Sequence, residues 1–430
     1  MGKKVYIHTF GCQMNVHDSE KILGVLEPEG FMQTDNPRSA DLIIFNTCSI
    51  RQKAEQKFYS ELGRIKSYKK LNPRLKIAVA GCIAQQEGKN IFKRAPHVDF
   101  VFGPQNIRAL KHFVADGYAP VAIEENPLIA IEDLPARRSA GISAWVTIMY
   151  GCNNFCSYCV VPYTRGRERS RPSEHIVAEV SKIAEEGFRE ITLIGQNVNS
   201  YKSDVDFPGL LRKLDRVGGI ERIRFVTSHP KDLSTALINA IKELPKICEH
   251  IHLPLQSGST AILKMMSRRY SFEDYIEKVA ALRAKIPDIS ITSDIIAGFP
   301  GETDEDHRLT LKALREIEFD GTFAFKFSPR PGTKAAKMQG NLTEEMKSER
   351  LYEILVLQDT ITEKKNNALV GAIQEVLIEG PSENGNGNLT GRTRTNKIVD
   401  IWAEDIIKGA LVDVEIIKGR RHSLEGKLVG

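Results

Sequence analysis

The chain has 430 residues, of which 41% are apolar and 27% charged, with a formal net charge of +5 at pH 7. This composition is that of an ordinary globular protein, and the length predicts two or three domains rather than a single core. No apolar run approaches the roughly 18 residues that a membrane span needs. The amino terminus lacks the apolar stretch of a signal peptide. We therefore expect a cytoplasmic protein with no membrane partner.

The first part of the chain alternates short apolar runs with polar, helix-compatible stretches. The runs are Val5–Phe10, Asp41–Asn46, Lys76–Ala80 and Val98–Phe102. This alternation predicts parallel strands joined by crossover helices. We assign residues 1–118 to an open parallel α/β domain, and residues 119–140, which hold three prolines and several acids, to a linker.

The alternation resumes over residues 141–365. Six strands are predicted, at Trp145–Tyr150, Glu190–Ile194, Arg222–Val226, His250–Leu255, Ser290–Ile296 and Thr322–Phe327. Helices are predicted at Ser173–Glu186, Leu233–Leu244, Ser271–Lys285 and Asp304–Ile317. Six such units predict a partial (β/α)6 barrel with one open side, because a closed barrel of this kind has eight strands.

The character of the sequence changes near its end. Glu344–Lys365 is predicted to be a helix that leaves the barrel domain. Residues 366–430 combine the strand-like runs Ala372–Glu379 and Leu411–Lys418 with the turn-rich Asn384–Asn388. These short strands and turns predict a small antiparallel β-barrel.

Three of the seven cysteines, Cys152, Cys156 and Cys159, follow a C-x3-C-x2-C spacing directly after a predicted strand. An odd number of cysteines in a cytosolic chain argues against a disulfide framework. A tight loop of this kind can ligate three irons of a 4Fe–4S cluster and leave the fourth iron free for a substrate. The alternatives are buried thiols, or a zinc site that lacks its fourth ligand. Zinc ligands usually come in pairs, and no second pair follows here.

A second set of three cysteines is dispersed in the sequence. Cys12, Cys48 and Cys82 each lie just beyond a predicted strand. The carboxyl ends of parallel strands meet at one edge of a sheet, so these thiols are expected to converge on a second cluster. A zinc site and three ordinary buried cysteines remain as alternatives. Cys248 shares neither pattern, and we interpret it as structural.

The loop Cys152–Cys159, with Tyr158 before its last cysteine, resembles the cluster loop of radical S-adenosylmethionine enzymes. The whole chain, with its tri-cysteine domain, barrel and small terminal β-barrel, resembles the methylthiotransferase family of these enzymes, whose terminal barrel is the TRAM domain. Residues 159–168, Cys-Val-Val-Pro-Tyr-Thr-Arg-Gly-Arg-Glu, are similar to its MiaB-type tRNA branch. Further matches are Thr227–Pro230, His252–Ser259, Gly298–Thr303 and Ser328–Thr333.

The resemblance implies methylthiolation of carbon 2 of N6-isopentenyl-adenosine next to the anticodon of tRNA. It implies two 4Fe–4S clusters, and S-adenosylmethionine both as methyl donor and as radical source. The cluster on Cys12, Cys48 and Cys82 would supply the sulfur. The implied partners are the tRNA anticodon stem-loop, a reducing electron donor such as flavodoxin or ferredoxin, and an iron–sulfur carrier for cluster repair. We expect a monomer.

Polar residues at strand ends are candidate contacts of S-adenosylmethionine, although capping and turn hydrogen bonds are the alternative. With Tyr158 of the loop, they are Gln196, Asn197, Ser228, Gln256 and Asp294. A basic run after the cluster loop is expected to hold RNA phosphates, unless it is a solvated, locally paired charge run. Its members are Arg165, Arg167, Arg169 and Arg171. A second basic group in the terminal barrel, Arg392, Arg394 and Lys397, could share an RNA-binding face with Trp402 or His422.

Three other functions stay open at this point. Two are those of sister enzymes, which methylthiolate N6-threonylcarbamoyl-adenosine in tRNA or an aspartate of a ribosomal protein. Residues Asn153–Phe155 and Val160–Glu168 favour the isopentenyl-adenosine branch. The third is a non-catalytic, metal-stabilised RNA-binding protein.

Overall fold

A computed structural model describes residues 2–49, 52–116, 120–340, 342–382, 388–403 and 406–429. Most of the predicted turn at Asn384–Asn388 therefore lies outside the described residues. Within these ranges, no helix is both long enough and apolar enough to cross a membrane.

The amino-terminal part is a six-stranded sheet in which every pairing is parallel, in the order β2-β1-β3-β4-β5-β6. Its strands are β1 (Lys3–Thr9), β2 (Phe31–Gln33), β3 (Leu42–Thr47), β4 (Lys76–Gly81), β5 (Phe100–Phe102) and β6 (Val121–Ala122). Its helices are α1 (Gln13–Leu26), α2 (Gln52–Leu71), α3 (Cys82–Glu87), α4 (Asn90–Arg94) and α5 (Ala109–Asp116). Alternate side chains of β3 and β4 enter two separate cores, one on each face of the sheet. The predicted open α/β domain is thus confirmed.

Two strands of this sheet are absent from the sequence prediction. β2 and β6 have three and two residues, which is too short for an apolar pattern to stand out. β6 pairs with β5 and lies inside the segment predicted as a linker. The sheet therefore reaches beyond residue 118.

The central part contains six parallel strands with helices between them, as predicted. The strands are β7 (Ser143–Thr147), β10 (Glu190–Ile194), β11 (Arg222–Phe225), β12 (His250–His252), β13 (Ser290–Ala297) and β14 (Gly321–Lys326), beside a small antiparallel pair of β8 (Met149–Tyr150) and β9 (Arg169–Ser170). The helices are α6 (Val161–Thr164), α7 (Ser173–Glu185), α8 (Phe207–Asp215), α9 (Thr235–Glu243), α10 (Thr260–Met265), α11 (Phe272–Lys285), α12 (Asp304–Ile317) and α13 (Glu344–Asn367). The strands form two three-stranded sheets, β11-β10-β7 and β12-β13-β14, linked by an isolated bridge between Ile223 and Ile247.

The two faces of this curved sheet differ in chemistry. Outward residues such as Leu193, Phe225 and Ile295 belong to the large core under the helices. Their neighbours on the inner face are polar, as Arg224 and Asp294 show, because side chains alternate along a strand. The inner face of the sheet therefore carries polar side chains rather than a second apolar core, and Arg224 on this face pairs with Glu190 at 2.7 Å.

The carboxyl-terminal part is a closed barrel with the strand order β15-β16-β17-β19-β18. Its strands are β15 (Ile373–Pro381), β16 (Leu389–Thr393), β17 (Ile398–Trp402), β18 (Leu411–Gly419) and β19 (Leu424–Leu428). The pairing of β17 with β19 is parallel and the others are antiparallel. The small barrel is confirmed, with this one departure from the predicted antiparallel order.

Buried arginines of β11 hold the terminal barrel against the central domain. Arg222 donates to the carbonyl oxygens of Arg392 (2.7 Å) and Glu375 (3.0 Å) and to the Glu375 carboxylate (2.8 Å). Arg224 donates to the carbonyl oxygens of Thr393 (2.8 Å) and Arg394 (2.9 Å). These bonds fix the orientation of the small barrel.

This docking corrects the hypothesis that the second basic group faces RNA. Arg394 pairs with Glu249 at 2.8 Å, and Lys397 pairs with Asp320 at 3.1 Å. Both acids belong to the central domain, so these charges are used between domains. Trp402, which is 66% exposed, is still available on the barrel surface.

Replacing Arg222 by Ala should loosen the terminal barrel. The substitution removes the donor from the carbonyl groups of Glu375 and Arg392, whose hydrogen bonds to Arg222 are partly buried, at an expected cost of about 3 kcal/mol. Scanning calorimetry should show an earlier transition for the terminal barrel. Arg189→Ala, at an exposed pair with Glu221, is the matched control and should cost less than about 1 kcal/mol. Equal melting of the two variants would contradict this account.

Candidate active site between two cysteine triplets

The amino-terminal triplet lies at one edge of the sheet, as the sequence predicts. Cys48 and Cys82 directly follow β3 and β4, and Cys12 follows the neighbouring strand β1. Gly11 has a φ of +109°, and a Cβ added to it would lie 2.7 Å from the Cys48 sulfur. Glycine is therefore required for the chain to pass this close to the thiols.

These thiols share one buried positive charge. A hydrogen bond with Cys48, followed by the charge of Arg165, lowers the pKa of Cys12 to about 6 against the opposing effect of burial. Burial alone would lower the pKa of Arg165, but Asp18 together with Cys82 and Cys12 raises it well above its usual value. A thiolate next to a fixed cation is the form that binds metal.

Asn15, on the first turn of α1, connects the strand ends around this triplet. Its amide nitrogen donates to the carbonyl oxygens of Phe10 (2.9 Å) and Thr47 (2.8 Å). Its amide oxygen accepts a 2.9 Å hydrogen bond from Arg165. The segments before Cys12 and Cys48 are thus held in register by one side chain.

The second triplet lies on the loop after β8. Cys152 and Cys156 are buried, and the Cys159 amide donates to the Cys156 carbonyl oxygen at 2.9 Å. Burial, followed by the neighbouring Cys156, raises the pKa of Cys159 to about 12, and burial also raises the pKa of Cys152. Metal binding to such thiols must displace their protons.

Arg268 is the cation of the second triplet, and the sequence analysis missed it. It is buried and donates to the Cys156 sulfur (3.5 Å), the Pro254 carbonyl oxygen (3.0 Å) and the Tyr270 hydroxyl (2.9 Å). The sequence itself carries little signal for this role. In the structure, Arg268 lies in a strained turn in which its neighbours Ser267 and Arg269 both have a φ of 59°. Each triplet therefore has one buried arginine.

The residues of both triplets fit iron–sulfur clusters. Within the described ranges, no three His, Cys, Asp or Glu side chains converge on the position of a single metal ion. A 4Fe–4S cluster needs no such convergence, because each thiolate ligates a different iron. At the first triplet, the three cysteines provide the ligands for a cluster, Gly11 leaves the space for it, and the buried Arg165 provides the positive charge.

Of the six residues predicted to contact S-adenosylmethionine, Tyr158 lies on the cluster loop and Asp294 lies within β13. The other four follow the carboxyl ends of β10, β11 and β12, and they are Gln196, Asn197, Ser228 and Gln256. The Asn197 amide oxygen and the Ser228 hydroxyl are buried without a hydrogen-bond partner among the described residues. The same is true of Nε2 of His229, which the sequence analysis did not select. Buried polar atoms are rarely left unpaired, so these three fit a polar ligand between β10 and β11.

The other four predicted contacts differ in how they are held. Gln256, with a φ of 73°, exchanges backbone hydrogen bonds with β13, and Asp294 lies 3.5 Å from His252. Gln196 is half-buried directly beyond β10. Tyr158 accepts a long hydrogen bond of 3.4 Å from Arg268. Their role in binding stays a prediction.

Comparison with known proteins connects these features. Residues 4–103 match a family described as Uncharacterized protein family UPF0004, residues 146–314 match the Radical SAM superfamily, and residues 367–429 match the TRAM domain. A protein of Thermodesulfovibrio yellowstonii is 56% identical over 430 residues, covering 100% of this chain and 99% of the relative. A protein of Syntrophus aciditrophicus is 48% identical over 438 residues, covering 99% and 95%. Both are named tRNA-2-methylthio-N(6)-dimethylallyladenosine synthase.

The chain belongs to this family of radical S-adenosylmethionine methylthiotransferases. Its membership implies S-adenosylmethionine and 4Fe–4S clusters as cofactors. Among solved structures, the radical S-adenosylmethionine methyltransferase TsrM of Kitasatospora setae, with cobalamin and a [4Fe-4S] cluster bound, matches with a TM-score of 0.61. It is 16% identical and covers 78% of this chain and 77% of its own, so the likeness shows a shared fold.

The arginines expected to face RNA in this family member divide into two pairs. Arg165 and Arg171 are buried, and they donate to Asp18 (2.8 Å) and Glu179 (2.6 Å). Because these guanidiniums are used inside the chain, the expectation of four RNA-facing arginines needs correction for this pair. Arg167 is exposed and lies 4.4 Å from the Phe155 ring, while Arg169 bonds Glu125 at 2.8 Å. The predicted RNA contact is retained for Arg167 and Arg169.

Replacing Arg165 by Gln should be far more damaging than the same change at Arg169. The first change leaves the Asp18 carboxylate buried without its cation, which typically costs about 3–5 kcal/mol. Arg169 pairs with Glu125, whose side chain is 55% exposed, so the second change should cost about 1 kcal/mol or less. Thermal unfolding of the two variants measures the difference. A double variant with Asp18→Asn should recover part of the loss, and an additive double loss would contradict the pairing.

Proposed function

We propose that this chain methylthiolates carbon 2 of N6-isopentenyl-adenosine next to the anticodon of tRNA. The observation that supports it most is the direct hydrogen bond between Asn15, three residues after Cys12, and Arg165, six residues after Cys159. It brings the segments that follow the two triplets into contact. A reaction that needs a sulfur source and a radical source at one base requires this closeness. Relatives named for the reaction cover nearly the whole chain.

Each triplet has its own part in this proposal. With its cofactors bound, the site would supply a sulfur atom and methyl group at Cys12, Cys48 and Cys82, and a 5′-deoxyadenosyl radical at Cys152, Cys156 and Cys159. Arg165 and Arg268 would offset the negative charge of the thiolates from inside the protein.

The chain's own residues would hold and orient S-adenosylmethionine. Asn197 and Ser228 offer unpaired buried polar atoms, and we assign Tyr158, Gln196, Gln256 and Asp294 as further contacts. Burial, with the charge of Arg268 second, lowers the pKa of His229 to about 2. This imidazole is therefore neutral at physiological pH, and its Nε2 can bond a ligand without adding charge.

The remaining parts of the proposal concern partners and domain limits. We assign the anticodon stem-loop as the recognised part of tRNA, a flavodoxin or ferredoxin as electron donor, and an iron–sulfur carrier for repair. We also assign a monomeric, cytoplasmic state. The proposed domains are 1–118, 141–365 and 366–430. The first of these is extended to Ala122 so that it takes in β6, and residues 123–140 connect the first two.

Nucleoside mass spectrometry of tRNA tests the proposed reaction. A strain lacking this gene should accumulate N6-isopentenyl-adenosine and lose its 2-methylthio derivative, and the intact gene should restore it. A loss confined to the 2-methylthio form of N6-threonylcarbamoyl-adenosine would assign the chain to the sister tRNA reaction. Unchanged tRNA in the deletion strain would reject both.

Cysteine variants test the two cluster sites separately. Replacing Cys12, Cys48 and Cys82 together by Ala should lower the iron content after anaerobic reconstitution from about eight to about four per chain. This variant should still cleave S-adenosylmethionine under a strong reductant, whereas replacing Cys152, Cys156 and Cys159 should abolish cleavage and retain about four irons. Cys248→Ala is the matched control with full iron content. Stoichiometric zinc, or sulfur insertion by the first variant, would contradict the assignment.

A further inference from the structure

Two short helices begin beside the two cysteine triplets and line a small cavity that is open to solvent. α3 starts at Cys82, and α6 starts two residues after Cys159. The cavity between them has a volume of about 190 Å³, and its lining includes Gln85, Gln105, Tyr163 and Arg167. It thus borders the segments that follow a ligand of each triplet.

The floor of this cavity is rigid. Gly166, with a φ of +77°, passes so close to Gln105 that a Cβ would lie 2.4 Å from its amide nitrogen. That nitrogen donates to the Arg165 carbonyl oxygen at 2.8 Å, and the amide oxygen accepts from the Asn126 amide at 2.7 Å. The hydrogen-bonding groups of Gln105 are therefore used within the protein, and the floor offers a fixed surface.

The mouth of the cavity carries aromatic and cationic groups. Tyr163 lies on α6, which follows the second triplet, and is 51% exposed. Its ring meets the Phe155 ring edge-on at 6.0 Å, and the Arg167 guanidinium lies 4.4 Å from the centre of the Phe155 ring. The exposed ring of Tyr163 and the guanidinium of Arg167, which packs on Phe155, are both groups on which planar ligands stack.

The charges around the cavity favour a nucleobase over a phosphate. Arg167 is the only cation among the residues that line it, and the Glu125 carboxylate also lines it. That carboxylate is paired with Arg169 at 2.8 Å, and the Arg167 guanidinium packs on Phe155, so the cavity offers a phosphate little free positive charge, whereas a base has a π-face for Tyr163.

We propose that Tyr163, supported by Phe155 and Arg167, is a stacking subsite for an unpaired base adjacent in sequence to the target adenosine. The inference rests on the proposed function and deepens it, because it names how the anticodon loop is held. The target base must leave its stack to reach the site, and its neighbour then loses a stacking partner. Tyr163 replaces that partner, which stabilises the opened loop.

A binding experiment on the reconstituted full chain tests this subsite. The probe is an anticodon stem-loop carrying N6-isopentenyl-adenosine, and fluorescence anisotropy gives its Kd. Tyr163→Ala should weaken binding about 10-fold, in the range of single base–aromatic stacks. Tyr163→Phe should stay within about two-fold of the wild type because the ring is kept. Tyr352→Ala, at a 68% exposed tyrosine on α13, is the matched control and should bind normally.

Abasic probes identify the base. Removing the base on one side of the target should weaken wild-type binding about as much as Tyr163→Ala does, and should add little further loss in that variant. Additive losses on both sides, or equal Kd values for Tyr163→Ala and Tyr352→Ala, would overturn the proposal. If Tyr163→Ala does not fold, as judged by iron content and melting, Tyr163→Leu is tested in the same way.

The same probes separate failure of the subsite from failure of the proposed function. The subsite alone is rejected if the wild-type enzyme methylthiolates the stem-loop but the losses from Tyr163→Ala and from the missing neighbouring base are additive. The proposed reaction alone is rejected if these losses are not additive, as the subsite requires, but the wild-type enzyme leaves the bound adenosine unmodified.

Discussion

The arrangement of the active site depends on the buried hydrogen bonds of Arg165 to Asn15 and Asp18. Asn15 and Asp18 lie on the helix that follows Cys12, and Arg165 follows Cys159 by six residues. Removing two charges from water costs about as much as their attraction returns. The benefit of the pair therefore lies in its directionality, since a guanidinium satisfies both partners only in one relative position of the domains.

The segment between the first two domains reinforces this arrangement. It has the proline and acid content of a linker, yet its residues bond both neighbours. The Arg137 amide donates to the Glu20 carbonyl oxygen at 2.9 Å, while Asp133 bonds Arg171 at 3.1 Å. Gly24 of α1 approaches Pro135 so closely that a Cβ would lie 2.1 Å from its carbonyl oxygen. Because the connection is packed along its length, the two triplets are held together by more than one ion pair.

The sequence predicted those parts of the structure whose causes are local. α12 begins and ends where it was expected, since Thr303 and Asp306 form a capping box at its start. Six of the seven cysteines could be grouped because each follows a strand or shares a loop. Arg268 could not be found in this way, and neither could the burial of Arg165. Asp18 lies 147 residues from Arg165 in the chain, so only the fold reveals that they pair.

Placing one buried arginine at each triplet partly offsets an electrostatic cost that the fold itself creates. Thiolates buried in an apolar interior are unstable, as the raised pKa values of Cys152 and Cys159 show. A surface cation would be screened and mobile, but Arg165 and Arg268 are buried and held by several hydrogen bonds each. Arg165 is itself paired with Asp18, and Arg268 offsets only part of the rise in the pKa of Cys159, but neither guanidinium can be neutralised by deprotonation. The arginines that looked suited to RNA phosphates are thus divided by the fold, with two buried for structure and two left near the surface.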